Sequence, residues 1–224
     1  MDIFPPNFFN WVVKYSFSKF SLASFSGTDK DFSWDTFSPS EIFNDSLIIL
    51  NIFSGLSGES IAINDTGDVV IIGASNNSGA NGASSGHARV WLWNGIRWIQ
   101  RGSDLDGSSA GDGFGDSAAI SGDGNTVAAG SMSHDGGGNT DTGQIKVYSW
   151  SNGWVQKGAS IVGGNGNKIG GNLSMSSDGN TIAAGGEGLV KAYYYNGTNW
   201  QQKGSDLSIA GQIAEIHKVS LSNN

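Results

Sequence analysis

Gly143-Gln144-Ile145-Lys146-Val147-Tyr148-Ser149-Trp150 reads as a β-strand with two apolar faces. Ile145, Val147 and Ser149 fall on one side of the pleat, while Lys146, Tyr148 and Trp150 fall on the other, because successive side chains of a strand point in opposite directions. Both faces need cover, so this strand belongs to a sheet lying between two others. The pattern occurs twice more. Gly86-His87-Ala88-Arg89-Val90-Trp91-Leu92-Trp93 precedes it and Gly188-Leu189-Val190-Lys191-Ala192-Tyr193-Tyr194-Tyr195 follows it, with the glycine, the cation and the two aromatic positions in the same places.

Working outward, the flanking residues repeat as well. Upstream stands a turn, Thr66-Gly67-Asp68, Asp123-Gly124-Asn125 or Asp178-Gly179-Asn180, and then a further glycine, Gly73, Gly130 or Gly185. Downstream come a second turn (Asn94-Gly95, Ser151-Asn152-Gly153, Asn196-Gly197) and a Trp-x-x-x-Gly, at Trp98/Gly102, Trp154/Gly158 and Trp200/Gly204. The turn glycines Gly67, Gly124 and Gly179 stand 57 and 55 residues apart, a period that marks a repeat architecture. Each unit reads as four strands. Strand one is Ser60–Asn64, Ser117–Ser121 or Leu173–Ser176, and a tight turn leads into strand two at Val69–Ile72, Thr126–Ala129 or Thr181–Ala184. The octet is strand three, and the Trp-x-x-x-Gly is strand four.

The units run over 55–107, 108–163 and 164–211, and Val219–Asn224 matches Leu173–Asp178, so 212–224 holds the first strand of a fourth. Sheets that need cover on both faces, in a row, predict an all-β fold: a partial β-propeller of four-stranded antiparallel blades, three full repeats plus the first strand of a fourth. A β-sandwich or a solenoid is the alternative. Small residues on strand two (Ala128-Ala129-Gly130, Ala183-Ala184-Gly185) suit the crowded axis of a propeller. Residues 1–54, rich in Phe and Ser, align with no repeat and form an unassigned N-terminal segment, read as a poorly ordered leader, a decayed blade or a mis-called reading frame.

Composition narrows the function. Thirty-five glycines beside 38% hydrophobic residues and eight Trp indicate glycine-rich turns between packed strands, since disordered chains lack aromatic residues. Net charge is −8 with 12 scattered Lys and Arg, which gives no basic stripe for nucleic acid or for an anionic membrane surface. Cysteine is absent, which excludes disulfides, thiolate metal sites and a Cys nucleophile. The apolar run Leu47–Phe53 is far short of the ~20 residues that span a bilayer. Met1-Asp2-Ile3-Phe4 carries an acid where a signal peptide has its basic region, so the chain is expected to be cytosolic or to lack its true N-terminus.

Gly113-Phe114-Gly115 opening strand one, with Ile72-Gly73-Ala74-Ser75 and Ala129-Gly130-Ser131 closing strand two, resembles the FG-GAP repeats of integrin alpha-chain propellers and their microbial relatives. Trp154-Val155-Gln156-Lys157-Gly158 and Trp200-Gln201-Gln202-Lys203-Gly204 are similar to the secreted marine branch of that family. The resemblance covers about Gly55 to Asn224 and implies an extracellular or cell-surface setting, with a protein or glycan ligand and with missing blades or neighbouring domains. Two features depart from the family. Its calcium loop between strands one and two shrinks here to Gly122-Asp123-Gly124-Asn125, too few oxygens for a cation that takes six to eight, and its proline is absent.

Candidate site residues concentrate where length varies. The connection between strands two and three spans Asn76–Ser85, then Met132–Thr142, and nearly vanishes in the third repeat. Variable loops on a rigid scaffold are where binding residues gather. Within His134–Asp141, Asp135, Asn139 and Asp141 offer two carboxylates and a carboxamide to calcium, the one cofactor put forward; a solvated Gly-rich loop is the alternative. His87, His134 and His217 share no metal-site spacing. Asp112, Asp116 and Asp123 could be read as a glycosidase pair, but Asp at turns usually bonds its own backbone. No nucleophile elbow or Ser-His-Asp order is present. Arg89, Lys146 and Lys191 are expected to lie over Trp or Tyr rings between blades, as structural cations.

These observations predict a non-enzymatic binding or adhesion module of a larger secreted or cell-surface protein, with no catalytic residue. A structural propeller scaffold beside a catalytic domain is the second reading. A propeller enzyme would need carboxylates converging on the axis, where strands one and two here carry Ala, Ser and Ile.

Overall fold

Glycine-closed turns and period-two alternation make strands of nearly every segment of the repeats. The computed structural model describes residues 12–16, 19–23, 58–208 and 218–221, and shows no helix among them. The chain divides into two compact units, Met1–Leu47 and Ile48–Asn224. In the first, β1 (Val12–Ser16) pairs antiparallel with β2 (Lys19–Ala23) in a hairpin, Val12 opposite Ala23 and Ser16 opposite Lys19. The rest of residues 1–54, on which the expectation of a leader or decayed blade falls, lies outside the described residues.

The second unit contains three sheets of one design. The first orders β3 (Ser60–Ile63), β4 (Val69–Ala74), β5 (His87–Trp93) and β6 (Trp98–Gln100), with β7 (Leu105–Asp106) returning to pair β5. The second repeats it with β8 (Ser117–Ile120), β9 (Thr126–Ser131), β10 (Gln144–Trp150), β11 (Trp154–Gln156) and β12 (Ile161–Val162). The third uses β13 (Asn172–Met175), β14 (Thr181–Gly185), β15 (Leu189–Tyr195), β16 (Trp200–Gln202) and β17 (Leu207–Ser208). All pairings between these strands are antiparallel. The fold is all-β, a partial propeller of four-stranded blades.

Strand four is broken in each blade, which the sequence pattern does not reveal. After β6 the Arg101 N–H still reaches Val90 O (2.7 Å), and Lys157 and Lys203 repeat the bond to Val147 and Ala192. The next residue, Gly102, Gly158 or Gly204, takes φ of +82°, +74° or +75° and turns the chain out of the ladder. That conformation strains any residue with a Cβ, which explains the glycine of Trp-x-x-x-Gly. Gly73 and Gly130 have a different cause. A Cβ on either would lie 2.1 Å from Gly115 O or 2.0 Å from Gly170 O, so bare backbone is needed where one blade meets the connection into the next.

The cores lie between blades. Val69, Ile71, Ala88, Val90 and Leu105 of the first blade meet Val127 and Ala129 of the second around Phe114, which is fully buried. Ala128, Ile145, Val147 and Ile161 of the second meet Ile182, Ala184 and Trp200 of the third around Ile169, the positional counterpart of Phe114. Thus β10 buries one face against each neighbour, as its two apolar faces require. Residues 218–221 of the fourth repeat form no strand, but the Leu221 N–H donates to Ser174 Oγ of β13 at 2.9 Å. The rest of 212–224, apart from these four residues, lies outside the described residues.

Candidate functional site

Antiparallel order sends the connections to two ends of each blade. At one end lie the turns 64–68, 121–125 and 176–180, equal in length, beside the turns 94–97, 151–153 and 196–199. In the second, Ser121 Oγ donates to Asp123 Oδ1 (2.6 Å) and accepts from the Thr126 N–H (2.9 Å), while the Asn125 N–H donates to Asp123 Oδ1 (2.9 Å). Ser176, Asp178, Asn180 and Thr181 repeat those contacts. In the first, Asn64 Oδ1 accepts from the N–H groups of Asp68 and Val69 instead (3.0 and 2.9 Å). The Ser176 hydroxyl and the Asn180 N–H hold the Asp178 carboxyl below the usual carboxylate range, and those of Thr66 and Asn64 do the same for Asp68. These aspartates form turns.

The opposite end carries the long loops 75–86 and 132–143, the short 186–188, and the connections 107–116 and 163–171 between blades. Here the loops brace one another: Gly111 and Gly113 donate to Ala83 O and Ser84 O, and Gly166 and Lys168 to Thr140 O and Asp141 O. Glu59 accepts from Ser75, and Asp116 accepts the Met132 N–H (3.0 Å), so an acid at the start of strand one ties down each long loop. Asp112 is almost fully buried and accepts from the Ser108 and Ser109 N–H groups (3.2 and 2.9 Å). His134 Nδ1 lies 3.1 Å from Asp112 Oδ2, though poorly aligned for a hydrogen bond, and its Nε2 meets the Gln144 amide at 3.1 Å. Gln144 Oε1 accepts from Ser108 Oγ (3.1 Å) and closes the ring of contacts. No local spacing in the sequence links His134 to Asp112; the fold brings them together from two loops.

The other candidates are placed as follows. Asp135 Oδ1 accepts the Asp141 N–H (2.8 Å), Asp141 Oδ2 lies 3.9 Å from Lys168 Nζ, and the Asn139 N–H closes the loop tip on Gly136 O (3.0 Å). One loop therefore holds all three. A calcium ion there would draw further oxygens from backbone or water to reach six to eight. Among the described residues no group of three His, Asp or Glu is arranged to hold a metal. His87 is buried at the start of β5 with Nε2 unpaired, and burial holds its imidazole below the usual histidine range. His217 lies outside the described residues. Asp123 sits at the turn end, whereas Asp112 and Asp116 sit at the loop end, so the three do not converge.

The expected cations differ from what the structure shows. Arg89 pairs with Asp104 of its own blade (2.9 Å) and Lys191 with Asp206 (2.8 Å), while Lys146 lies over Phe114, 5.3 Å from the ring centre. Among the described residues, the cations over Trp and Tyr are Arg101 and Lys157. Arg101 stands 4.6 Å from the Trp150 ring and 5.6 Å from Trp154, and Lys157 stands 4.8 Å from Tyr195 and 5.9 Å from Trp200. Both also reach the next blade's turn, Arg101 at Gly124 O (2.8 Å) and Asn125 Oδ1 (2.6 Å), Lys157 at Gly179 O (2.9 Å) and Asn180 Oδ1 (2.8 Å). In return Trp154 Nε1 donates to Arg101 O (2.6 Å) and Trp200 Nε1 to Lys157 O (2.7 Å). The signal was present: a cation precedes each glycine of Trp-x-x-x-Gly.

A pocket of about 170 Å³ opens at the loop end between the second and third blades, lined by Met132, Lys168, Gly171, Asn172 and Glu187. It exists because the third repeat's loop is cut to Gly186-Glu187-Gly188, and Glu187 pairs there with Lys168 (3.2 Å).

No family model and no curated protein matches the chain. Solved structures similar to it include one assigned as a 6-phosphogluconolactonase from Bacteroides uniformis, 12% identical, with a TM-score of 0.47 over 70% of this chain and 42% of that one. Another is the β-propeller domain of Cps50 (Swd1) from Myceliophteria thermophila, 9% identical, with a TM-score of 0.47 over 79% of this chain and 50% of that one. The chain therefore spans half or less of the length of either. The expectation that the chain is not an enzyme is corrected by the first of these: an enzyme assignment occurs among the structures of similar fold, so this architecture gives no ground for excluding catalysis.

Proposed function

We propose that the chain is a binding module of the FG-GAP kind that holds a protein or glycan ligand at the loop end of its blades, within a larger secreted or cell-surface protein. One observation carries this reading. The large length differences among the repeats fall at one end, in 75–86, 132–143 and 186–188, while at the other end the turns 64–68, 121–125 and 176–180 are equal in length and 94–97, 151–153 and 196–199 differ by a single residue. A scaffold whose loops vary most at one exposed end has the build of a recognition surface. Much of that surface is small and polar (Ser84, Ser109, Asn139 and Thr140 are exposed), which suits hydroxyl- and amide-rich ligands.

The test is binding of the purified chain to a glycan array and to extracellular matrix proteins, with and without calcium. In a second chain, 75–86 and 132–143 are replaced by Gly-Glu-Gly, the loop of the third repeat. Binding by the first chain and its loss in the second, with unchanged circular dichroism, is expected. Equal binding by both, or none by either, overturns the proposal. Calcium dependence removed by Asp135→Asn would add Asp135, Asn139 and Asp141 to the site.

A further inference from the structure

Three positions of the third blade are exposed where their counterparts are buried or half-buried. Leu207 is 67% exposed, whereas Leu105 and Ile161 are 5% and 7% exposed under the following blade. Tyr194, on the same face, is 42% exposed. Lys203 keeps the backbone bond of Arg101 and Lys157, yet its side chain is exposed. A Cβ on Gly102 or Gly158 would meet the next blade's tryptophan at 2.8 or 3.1 Å, but one on Gly204 would meet no described atom within 4 Å.

We propose that this face of the third blade is a docking surface for a further four-stranded repeat of the same kind. The interface occurs twice already within the chain, and its chemistry specifies the occupant. It must carry an aromatic pair like Trp150–Trp154 or Tyr195–Trp200, whose ring centres lie 5.1 and 5.4 Å apart, to receive the Lys203 ammonium. It must also carry a turn with a free carbonyl and an Asn or Asp, and an indole N–H to donate to Lys203 O. Residues 218–221, which form no strand in the structure, stand at the place of its first strand, where the Leu221–Ser174 hydrogen bond sets them against β13. A second copy of this chain is disfavoured, because its β3 would compete for the place of 218–221.

The test extends the full chain after Asn224 with a copy of its own residues 124–163, which completes a fourth repeat, and follows labelling of Lys203 by an amine-reactive reagent in mass spectrometry. Labelling of Lys203 is expected to slow about tenfold, towards the rate of Lys157, as it would for a site exposed only by local opening. Leu207→Asp is expected to lower the melting temperature of the extended chain by about 5 °C and that of the original chain by less than about 1 °C. Unchanged labelling of Lys203 overturns the proposal, and so does an appended repeat that stays unfolded. Protection of Lys203 in the original chain on raising its concentration would assign the face to a second copy and overturn it too.

Discussion

Gly130 and Gly73 stand against the backbone of the connection into the next blade, and they have no tolerance for a side chain. Gly130→Ala places a methyl 2.0 Å from Gly170 O, which only a shift of backbone can relieve, so the variant is expected to lose about 3 kcal/mol in urea denaturation. Gly95→Ala meets no atom within 4 Å and strains only its own φ of +89°, so a loss of about 1 kcal/mol is expected there. Two phenols report on the same packing. Burial pushes Tyr148 and Tyr193 up to about 12, since a phenolate between blades would be poorly solvated. Absorbance at the phenolate band should therefore show two tyrosines that resist ionisation up to about pH 12. Folded-state pKa values above those of the unfolded chain mean that their contribution to stability is full below about pH 10 and is lost as pH rises from there through 12.

Among elements, the joint between strand four of one blade and the turn of the next carries the most information. Arg101 and Lys157 each combine a ring contact, a carbonyl and a carboxamide, and the tryptophan returns a hydrogen bond to the same residue's carbonyl. A double-mutant cycle on Lys157→Ala and Trp200→Phe is expected to show a coupling of about 1 kcal/mol, and a cycle on Lys157→Ala and Trp98→Phe, two residues not shown in contact, close to zero. The turns that receive these cations set the acid limit. Asp68, Asp123 and Asp178 titrate low in the folded chain, Asp123 despite a burial that opposes it, because hydroxyl and N–H donors outweigh that burial. Their stabilisation is present above about pH 4 and is lost as pH falls below it, so a thermal-melt series from pH 6 to pH 2 should decline through that window. The strands were legible in the sequence because the alternation at Gln144–Trp150 and the turns at Gly67, Gly124 and Gly179 are local. The broken fourth strand was half legible: the glycine recurs, but its positive φ does not show in a list of letters. The His134–Asp112 contact was not legible, since it joins two loops through the fold rather than through spacing. The partners of Arg89 and Lys191 were legible, since Asp104 and Asp206 each lie fifteen residues on in a recurring Gly-Ser-Asp-Leu. The second repeat breaks the pattern with Ser160, and Lys146 there has no such acid.

For the whole repeat unit, cores that lie between blades make stability a matter of neighbours. The second blade has one on each side, with Phe114 and Ile169 as the fully buried side chains between. Hydrogen exchange is therefore expected to be slowest in β9 and β10, by about tenfold over β14 and β15, with Phe114→Ala erasing the first interface at a cost of about 4 kcal/mol. The direction of the joints has a consequence for synthesis. Each cation sits on the last strand of its blade and each receiving turn lies near the start of the next, so a blade leaving the ribosome is already finished on the side where its successor must land. Addition of blades in the order of translation needs no rearrangement of those already made, and growth of such a chain by duplication of a whole repeat would leave every joint intact.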